Sequence, residues 1–228
     1  MLDHAASVAA SHRYEVIRAA GVEAEAELPF AGLHQLVHPL LTHLPGLDEG
    51  YRAVFDVVFG RREGKAPSVM SLGIAVLDLL SLAAARNPPL LLIDDGQWMD
   101  AASADVCGFV GRRLAGVPVK MLIAVRADSP SRFDTAALPE TAVAALPDEA
   151  ARRLLELRYP DLDANARRVV LEHAQGNPLA LLELPPYLDD ERAGYAAGEL
   201  LDIPFRVGSS TSTARGSSVS TRPSVRNF

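Results

Sequence analysis

The chain has 228 residues, 49% of them hydrophobic and 22% charged, and this ordinary globular composition excludes a wholly disordered protein. A formal net charge of −7 excludes attraction of the whole surface to nucleic acid or anionic membranes, and no apolar stretch is long enough to span a membrane. The single cysteine, Cys107, excludes an intramolecular disulfide and a multi-cysteine zinc site, and we expect a cytoplasmic protein.

Apolar segments that alternate with helical ones predict an α/β fold. Strands are predicted at residues 14–19, 90–94, 119–125 and 141–146. Helices are predicted, from apolar residues at three- and four-residue spacing, at residues 30–44, 51–59, 68–85, 101–114, 148–158 and 164–174. The second and third strands are apolar except for Asp94 at the end of the second and Lys120 in the third, and we interpret both as parallel strands buried on both faces. The alternation favours right-handed crossovers and a doubly wound parallel sheet.

Composition divides the chain into three regions. Residues 1–147 contain the predicted strands and form the predicted core, and residues 148–190 form a helical segment, which the family resemblance described below implies to be a lid. Residues 203–228 are rich in serine and contain four arginines but no acid, so residues 1–202 carry 18 − 29 = −11 of the formal charge. Because this tail has almost nothing apolar to bury, it is predicted to be disordered.

Two aspartates, Asp94 and Asp95, follow the apolar strand segment at residues 90–93. Parallel strands deliver their carboxyl ends to the sheet edge where open α/β folds bind ligands. One acid there can hold Mg²⁺, and the next can polarise an attacking water. The plain alternative, to which these residues alone give equal weight, is a polar strand end followed by a turn. Gln97 is then a turn residue, and Trp98 is interpreted as a packing anchor.

The sequence around Asp94 and Asp95 favours a functional role for the two acids over a plain turn. Residues 90–100 read LLLIDDGQWMD, and residues 21–36 read GVEAEAELPFAGLHQL. Arg126 follows the third predicted strand, and residues 176–184 read GNPLALLEL. Together, over residues 1–190, these segments resemble the large ATP-binding regulators of the LuxR family. Those regulators belong to the STAND branch of the AAA+ P-loop ATPases, so the resemblance implies a P-loop NTPase sheet followed by the start of a helical lid.

The resemblance implies a role for each matching residue. Asp94 would hold Mg²⁺ through water, Asp95 would polarise the attacking water, and Arg126 would sense the γ-phosphate of ATP. The remaining nucleotide-binding residues that it implies open the lid helices: Gly176, Asn177 and Pro178. In the intact family, ATP, Mg²⁺ and a small-molecule inducer set the state of a switch that controls DNA binding by a distant helix-turn-helix domain.

Several candidate residues also have ordinary structural explanations. Arg126 can be a solvated or ion-paired surface group, and Pro178 can be a first-turn helix proline. His34 and His38 have the i, i+4 spacing of a metal-binding pair, but a helix face is the favoured interpretation because no third ligand accompanies them. Cys107 lies in a predicted helix without an activating partner, so we expect a buried and inert thiol.

One element of the family is missing from the sequence. P-loop ATPases cradle phosphates with G-x-x-x-x-G-K-[ST]. The nearest segment, GRREGKAP at residues 60–67, has its glycines one residue too close and Ala66 where a hydroxyl is needed. We therefore expect a fragment that starts after the P-loop and ends before the helix-turn-helix domain, with weak or no ATP binding and no turnover alone. Two alternatives stay open: a non-catalytic module that pairs with a P-loop partner, and a gene remnant.

The resemblance also implies that the sheet strand preceding the P-loop is missing. We expect its absence to leave the strand at residues 90–93 or the strand at 119–125 with an unpaired edge of N–H and C=O groups. Exposed apolar edges recruit other strands. The sequence therefore predicts self-association of the chain.

Overall fold

A computed structural model describes residues 1–191 and 224–227 of the chain. These residues form two compact units. The first unit runs to Val143 and includes the strand at residues 224–227, and the second begins at Ala144. The first unit therefore ends at residue 143. The sequence had predicted that the core would end at residue 147.

The first unit alternates strands with helices. Its strands are β1 (Glu15–Ala20), β2 (Pro89–Asp94), β3 (Lys120–Val125), β4 (Glu140–Ala142) and β5 (Ser224–Asn227). Its α-helices are α1 (Leu2–Ser11), α2 (Ala31–Val37), α3 (Glu49–Val58), α4 (Val69–Ala84) and α5 (Ala101–Gly111), and its 3-10 helices are Glu23–Glu25, His38–Gly46, Gly96–Trp98 and Arg132–Thr135. Among the residues described, no helix is both long and apolar enough to cross a lipid bilayer.

The five strands form one sheet in the order β1-β2-β3-β5-β4. Strands β1, β2 and β3 are parallel, with Ile17 beside Leu91 and Leu91 beside Met121. Strand β5 is antiparallel to both of its neighbours, β3 and β4. The prediction of an α/β fold with a parallel sheet is thus confirmed for its first three strands.

Strand β2 is buried on both faces, as its continuous apolar sequence predicted. Leu91 and Ile93 belong to the main core under α2, α4 and α5. Leu90 and Leu92 face the other way and form a smaller cluster with Leu2 of α1. The central strand is therefore covered by helices on both sides, and its polar end at Asp94 is the first exposed position.

The single helix predicted at residues 30–44 is wrong. Helix α2 ends at Val37, and the chain continues as the 3-10 helix His38–Gly46. Pro39 lacks the backbone N–H that an α-helix needs at this position, which accounts for the change in geometry. Leu40 is nevertheless buried in the same core as Leu36, so the apolar periodicity correctly identified the buried face.

The fourth predicted strand, at residues 141–146, differs from the structure in length and in its neighbour, although it runs in the same direction as β1 to β3. Strand β4 covers only Glu140–Ala142 and pairs antiparallel with β5. Within the second unit, the Leu146 N–H donates to the carbonyl of Gly176 at 2.8 Å. Pro147 then precedes the first residue of α6. The end of the predicted strand therefore lies outside the sheet, where it bonds to the Gly176 segment and leads into α6.

The tail prediction also needs correction at its end. Residues 203–228 were expected to be disordered, yet Ser224–Asn227 form β5 inside the sheet. Residues 203–223 and Phe228 lie outside the described residues. The prediction of disorder rested on the few apolar side chains of the tail, but strand pairing uses backbone N–H and C=O groups, which every residue except proline carries in full.

The predicted unpaired edges are not present on the two strands named for them. Strand β2 lies between β1 and β3, and β3 pairs on its second side with β5 through residues 122–125. The physical reason is that β5 supplies hydrogen-bonding groups at the position expected to be empty. Self-association of the chain stays a prediction.

The described part of the second unit contains three helices, α6 (Asp148–Arg158), α7 (Ala164–Ala174) and α8 (Pro178–Glu191). They pack around the fully buried Leu155, Val170 and Leu181. Asp163 begins α7 by accepting bonds from the N–H groups of the second and third helical residues at 2.8 and 2.9 Å, an ordinary N-cap.

Candidate carboxylate and arginine site

The candidate site begins with two acids at the carboxyl end of β2. Asp94 is the last residue of the strand and is exposed, whereas Asp95 is half-buried. Asp95 has the left-handed φ of 46°, a conformation that aspartate tolerates better than most residues. Its N–H donates to Asp94 Oδ1 at 3.0 Å. This turn directs the two carboxylates differently, so they are not equivalent ligands.

Arg126 follows β3 and lies at the same sheet edge as the acids. The parallel pairing of β2 with β3 requires this, and the prediction that Asp94 and Arg126 share an edge is confirmed. Arg126 Nε lies 3.8 Å from Asp95 Oδ1, and the guanidinium carbon lies 4.9 Å from the centre of the Trp98 ring. The arginine therefore has an anionic and an aromatic partner at once.

Gln97 joins the loops that follow β2 and β3. Its Nε2 donates to Asp95 Oδ1 at 2.8 Å, and its Oε1 accepts from the Arg126 N–H at 3.1 Å. Gln97 was interpreted from the sequence only as a turn residue, so this role was missed. The available signal was a bifunctional amide two residues beyond the acid pair, which can accept from one strand end and donate to another.

Two glycines allow the loops to approach this closely. A Cβ on Gly21 would lie 2.3 Å from the Asp95 carbonyl oxygen, and the Gly21 N–H donates to the Asp94 carbonyl at 2.9 Å. A Cβ on Gly96 would lie 2.9 Å from Cγ1 of Val125. Because both positions exclude a larger side chain, the ends of β1, β2 and β3 form one packed edge.

Asp100 lies beneath this edge and is the site's only strongly buried carboxylate among the described residues, with 3% of its surface exposed. Its oxygens accept from the N–H groups of Phe30, Gly32 and Ser103 at 2.8 to 3.0 Å. Ser103 Oγ in turn accepts from the Leu33 N–H at 2.7 Å. The sequence predicted Asp100 as the cap of α5. The structure confirms that cap and adds the start of α2, whose N-terminal dipole also favours a negative charge.

Cys107 of α5 is buried, as the sequence predicted. Burial raises the pKa of its thiol to about 12, and the charge of Asp100 adds to that effect. A thiol with so high a pKa is neutral at physiological pH and is not a nucleophile. The sulfhydryl is therefore part of the core packing.

His34, His38 and Asp94 are the candidate metal ligands in the described residues. The His34 and His38 rings lie 5.3 Å apart, and His34 also packs edge-on against Phe59. The residues that the structure describes contain no cluster of three or more His, Cys, Asp or Glu side chains arranged for a metal ion. The exposed Asp94 carboxylate suits a hydrated Mg²⁺, whose coordination shell keeps several waters.

The triphosphate of ATP fits the site less well than Mg²⁺ does. Phosphates are bound by converging backbone N–H groups and a lysine, which the phosphate-binding loop supplies. The sequence lacks that loop, and residues 60–67 lie in a turn and an irregular loop between α3 and α4. The one arginine at the edge, Arg126, already interacts with Asp95. The residues present do not form a phosphate cradle.

Gly176, Asn177 and Pro178 belong to the second unit and have structural roles there. Gly176 has φ of 77°, and a Cβ on it would lie 2.4 Å from the Leu146 carbonyl oxygen. Asn177 Oδ1 accepts from the Leu179 N–H at 2.9 Å, at the start of α8, whose first residue is Pro178. Asp94, Asp95 and Arg126 belong to the first unit. The candidate site is therefore defined by first-unit residues.

Comparison of the chain with protein-family models, with curated proteins and with solved structures finds no match.

Proposed function

We propose that this chain is part of the ATP-binding switch domain of a LuxR-type transcriptional regulator, and that it does not hydrolyse ATP alone. The observation that carries the proposal is the coupling of Asp95 to Arg126. The two side chains approach within 3.8 Å, and Gln97 bonds to the Asp95 carboxylate and to the Arg126 backbone. An acid and an arginine on neighbouring parallel strands are suited to detect a phosphate and its metal.

Asp94 is the metal-binding residue in this proposal. It is exposed at the end of the central strand, and one of its oxygens already accepts from the Asp95 N–H. An exposed carboxylate can hold Mg²⁺ through its water shell without losing much hydration. Bound Mg²⁺ would neutralise part of the phosphate charge. Asp95 is then the residue that positions and polarises water.

Arg126 is the sensing residue, because its interactions at the edge are weak enough to exchange. Its side chain is 58% exposed, and the 3.8 Å separation from Asp95 is long for an ion pair. Exposed pairs of this kind contribute little stability. A phosphate that attracts Arg126 would weaken its interaction with Asp95 and change the surroundings of Trp98, over which the guanidinium lies.

ATP binding by the chain as it stands should be no tighter than about 1 mM, which corresponds to about −4 kcal/mol. A triphosphate at this edge meets two carboxylates and one arginine, without the backbone N–H groups and lysine of a P-loop. For the same reason we expect no ATP turnover by this chain alone. In the proposed regulator, α8 and the Gly176–Pro178 segment begin the lid, and an inducer and DNA are ligands of the intact protein.

The proposal is tested by supplying the phosphate cradle. A designed strand followed by G-x-x-x-x-G-K-[ST] is joined to Met1, and residues 222–228 are removed so that the side of β3 next to β5 is free. A strand added there parallel to β3 ends at the same edge as Asp94. Calorimetric titration with Mg·ATP should then give micromolar affinity, at least tenfold weaker in Asp94→Asn.

Asp48→Asn is the matched control, because Asp48 is exposed and its side chain makes no capping bond at the start of α3. It should leave the affinity unchanged. A folded extended chain that binds Mg·ATP no better than the original contradicts the proposal. So does an extended chain whose affinity is insensitive to Asp94→Asn.

A further inference from the structure

Strand β5 lies between β3 and β4 in the sheet, and we call the space that it fills between them the slot. It pairs with β3 through four facing residue pairs, from Leu122 with Asn227 to Val125 with Ser224. It pairs with β4 through three, including Thr141 with Val225. Both walls of the slot present backbone N–H and C=O groups, which recognise an extended segment through its main chain.

Strand β3 is held in place by contacts that do not involve β5, because it is paired on its other side with β2. The segment before β4 is anchored by Phe133, which is fully buried, and by Leu138, which packs against the same core. Arg112 Nη1 also donates to the carbonyl of Ala136 at 2.5 Å. Strand β4 itself pairs with β5, and its three residues are exposed. Departure of β5 therefore leaves the edge of β3 in place, and an incoming strand can pair there and pair again with β4.

The sequence connecting β5 to the preceding helix is long enough to reach another molecule. Helix α8 ends at Glu191 and β5 begins at Ser224. A connection of this length spans roughly 100 Å when fully extended. The segment can therefore reach the slot of its own chain or that of a neighbouring copy.

Charge complementarity makes a copy of this chain a suitable partner for its basic tail. Residues 203–228 contain four arginines and no acid, whereas residues 1–202 carry 18 − 29 = −11. A basic segment is attracted to an acidic body, in its own copy or in another. We propose that β5 is an exchangeable strand, and that the slot between β3 and β4 binds residues 224–227 of a second copy. Exchange of one identical element between copies is a low-cost route to association.

Disulfide trapping between two differently substituted full-length copies tests the exchange. One copy carries Ala124→Cys and the other Val225→Cys, at positions that face each other in the sheet. Facing residues on antiparallel strands have Cα atoms about 5 Å apart, within reach of a disulfide. The native Cys107 is buried and does not compete. Mixing under mild oxidation should give a covalent dimer of the two copies.

The matched control replaces Ala124→Cys by Leu122→Cys, which is two residues out of register with Val225. We expect roughly tenfold less dimer from that mixture, because the Cα separation exceeds disulfide geometry. A single chain that carries both Ala124→Cys and Val225→Cys reports pairing within one copy. An internal disulfide in that chain without dimer in the mixture overturns the proposal, and absence of both products overturns it as well.

A second measurement avoids substitutions in the protein. A fluorescent peptide of residues 219–228 is titrated against the unmodified full-length chain, and its anisotropy is followed. Saturable binding that is lost when the peptide carries Val225→Pro supports the exchange, because proline removes a backbone donor in the slot. No binding of the unmodified peptide contradicts it.

Discussion

The single carboxylate of Asp100 connects segments that are far apart in the sequence. It accepts from backbone N–H groups 68 and 70 residues away in sequence, as well as from its own helix start. A buried acid is costly unless hydrogen bonds replace its water, and here backbone donors do so. These bonds also hold Phe30 at its left-handed φ of 67°. The loop after β1 is thereby fastened beneath the acid and arginine site.

Asp100→Asn should lower the free energy of unfolding by about 2–3 kcal/mol, because the amide NH₂ faces backbone donors and leaves them unsatisfied. Urea denaturation measures the change. Asp105→Asn is the control, since Asp105 is an exposed acid of the same helix with a 3.8 Å ion pair to Arg132. That substitution should cost less than about 1 kcal/mol. Equal effects of the two substitutions would contradict the role given to Asp100.

Cys107 gives a prediction about pH. Its pKa is raised to about 12 in the folded protein, whereas the unfolded thiol ionises near 9. Below pH 9 the Cys107 thiol is protonated in both the folded and the unfolded state, so it does not change the free energy of unfolding. As the pH rises from 9 towards 12, only the unfolded state releases it, so stability falls. Between pH 8 and 10 the unmodified chain should lose about 1.5 kcal/mol more than Cys107→Ala in urea denaturation. Parallel pH profiles would contradict this.

At the scale of elements, the strands of the sheet define the site through their carboxyl ends. The ends of β1, β2 and β3 are packed so closely that Gly21 has no room for a side chain. The loops that follow β1 and β2 are therefore in direct backbone contact. A change in the loop after β1 should be transmitted directly to Asp95, whose carbonyl oxygen is the nearest atom to a Cβ on Gly21.

Gly21→Ala should destabilise the chain by at least about 2 kcal/mol, because the added methyl group overlaps backbone atoms that cannot rotate away. Gly50→Ala is the matched control. Gly50 lies in α3, and a Cβ there meets nothing within 4 Å. Alanine is the better helix former, so this change should be neutral or stabilising by up to about 1 kcal/mol. Thermal unfolding of both variants measures the difference, and a stable Gly21→Ala chain would contradict the packed edge.

The elements differ in how far the sequence could predict them. Strands β1 to β3 were predictable because their sequences are mainly apolar, and parallel pairing then places Asp94 and Arg126 at one edge. The residues of β3 after Lys120 alternate between buried and half-buried, so full burial on both faces holds for β2 and not for β3. Strands β4 and β5 were not assigned correctly, because all three residues of β4 are exposed and β5 pairs through its backbone. The bonds of Gln97 and Asp100 were missed because they join residues far apart in sequence.

At the scale of the whole molecule, β5 completes the sheet from a segment that follows the second unit in sequence. Its removal would expose the hydrogen-bonding edges of β3 and β4 together. Edges of this kind recruit other strands. The stability and association of the molecule are therefore linked through one short strand.

A chain ending at residue 221 should melt several degrees lower than the full chain. It should not form the dimer that depends on exchange of β5, and it should associate instead through the exposed edges of β3 and β4. The loss of stability follows from backbone hydrogen bonds, each of which contributes about 1 kcal/mol net. Scanning calorimetry and sedimentation velocity measure the two effects. A chain carrying Ser217→Ala instead of the truncation is the control and should match the full chain. A truncated chain of unchanged melting temperature and mass would show that β5 adds nothing.

The measurement that tests the central account most directly is a titration of the unmodified chain with Mg·ATP, followed by the emission of its single tryptophan, Trp98. Trp98 lies under Arg126, so it reports on phosphate binding at the edge. We predict a change that develops only around millimolar Mg·ATP and is lost in Arg126→Met. Saturation at micromolar Mg·ATP, or a response unaltered by Arg126→Met, would contradict a phosphate-sensing edge without a phosphate cradle.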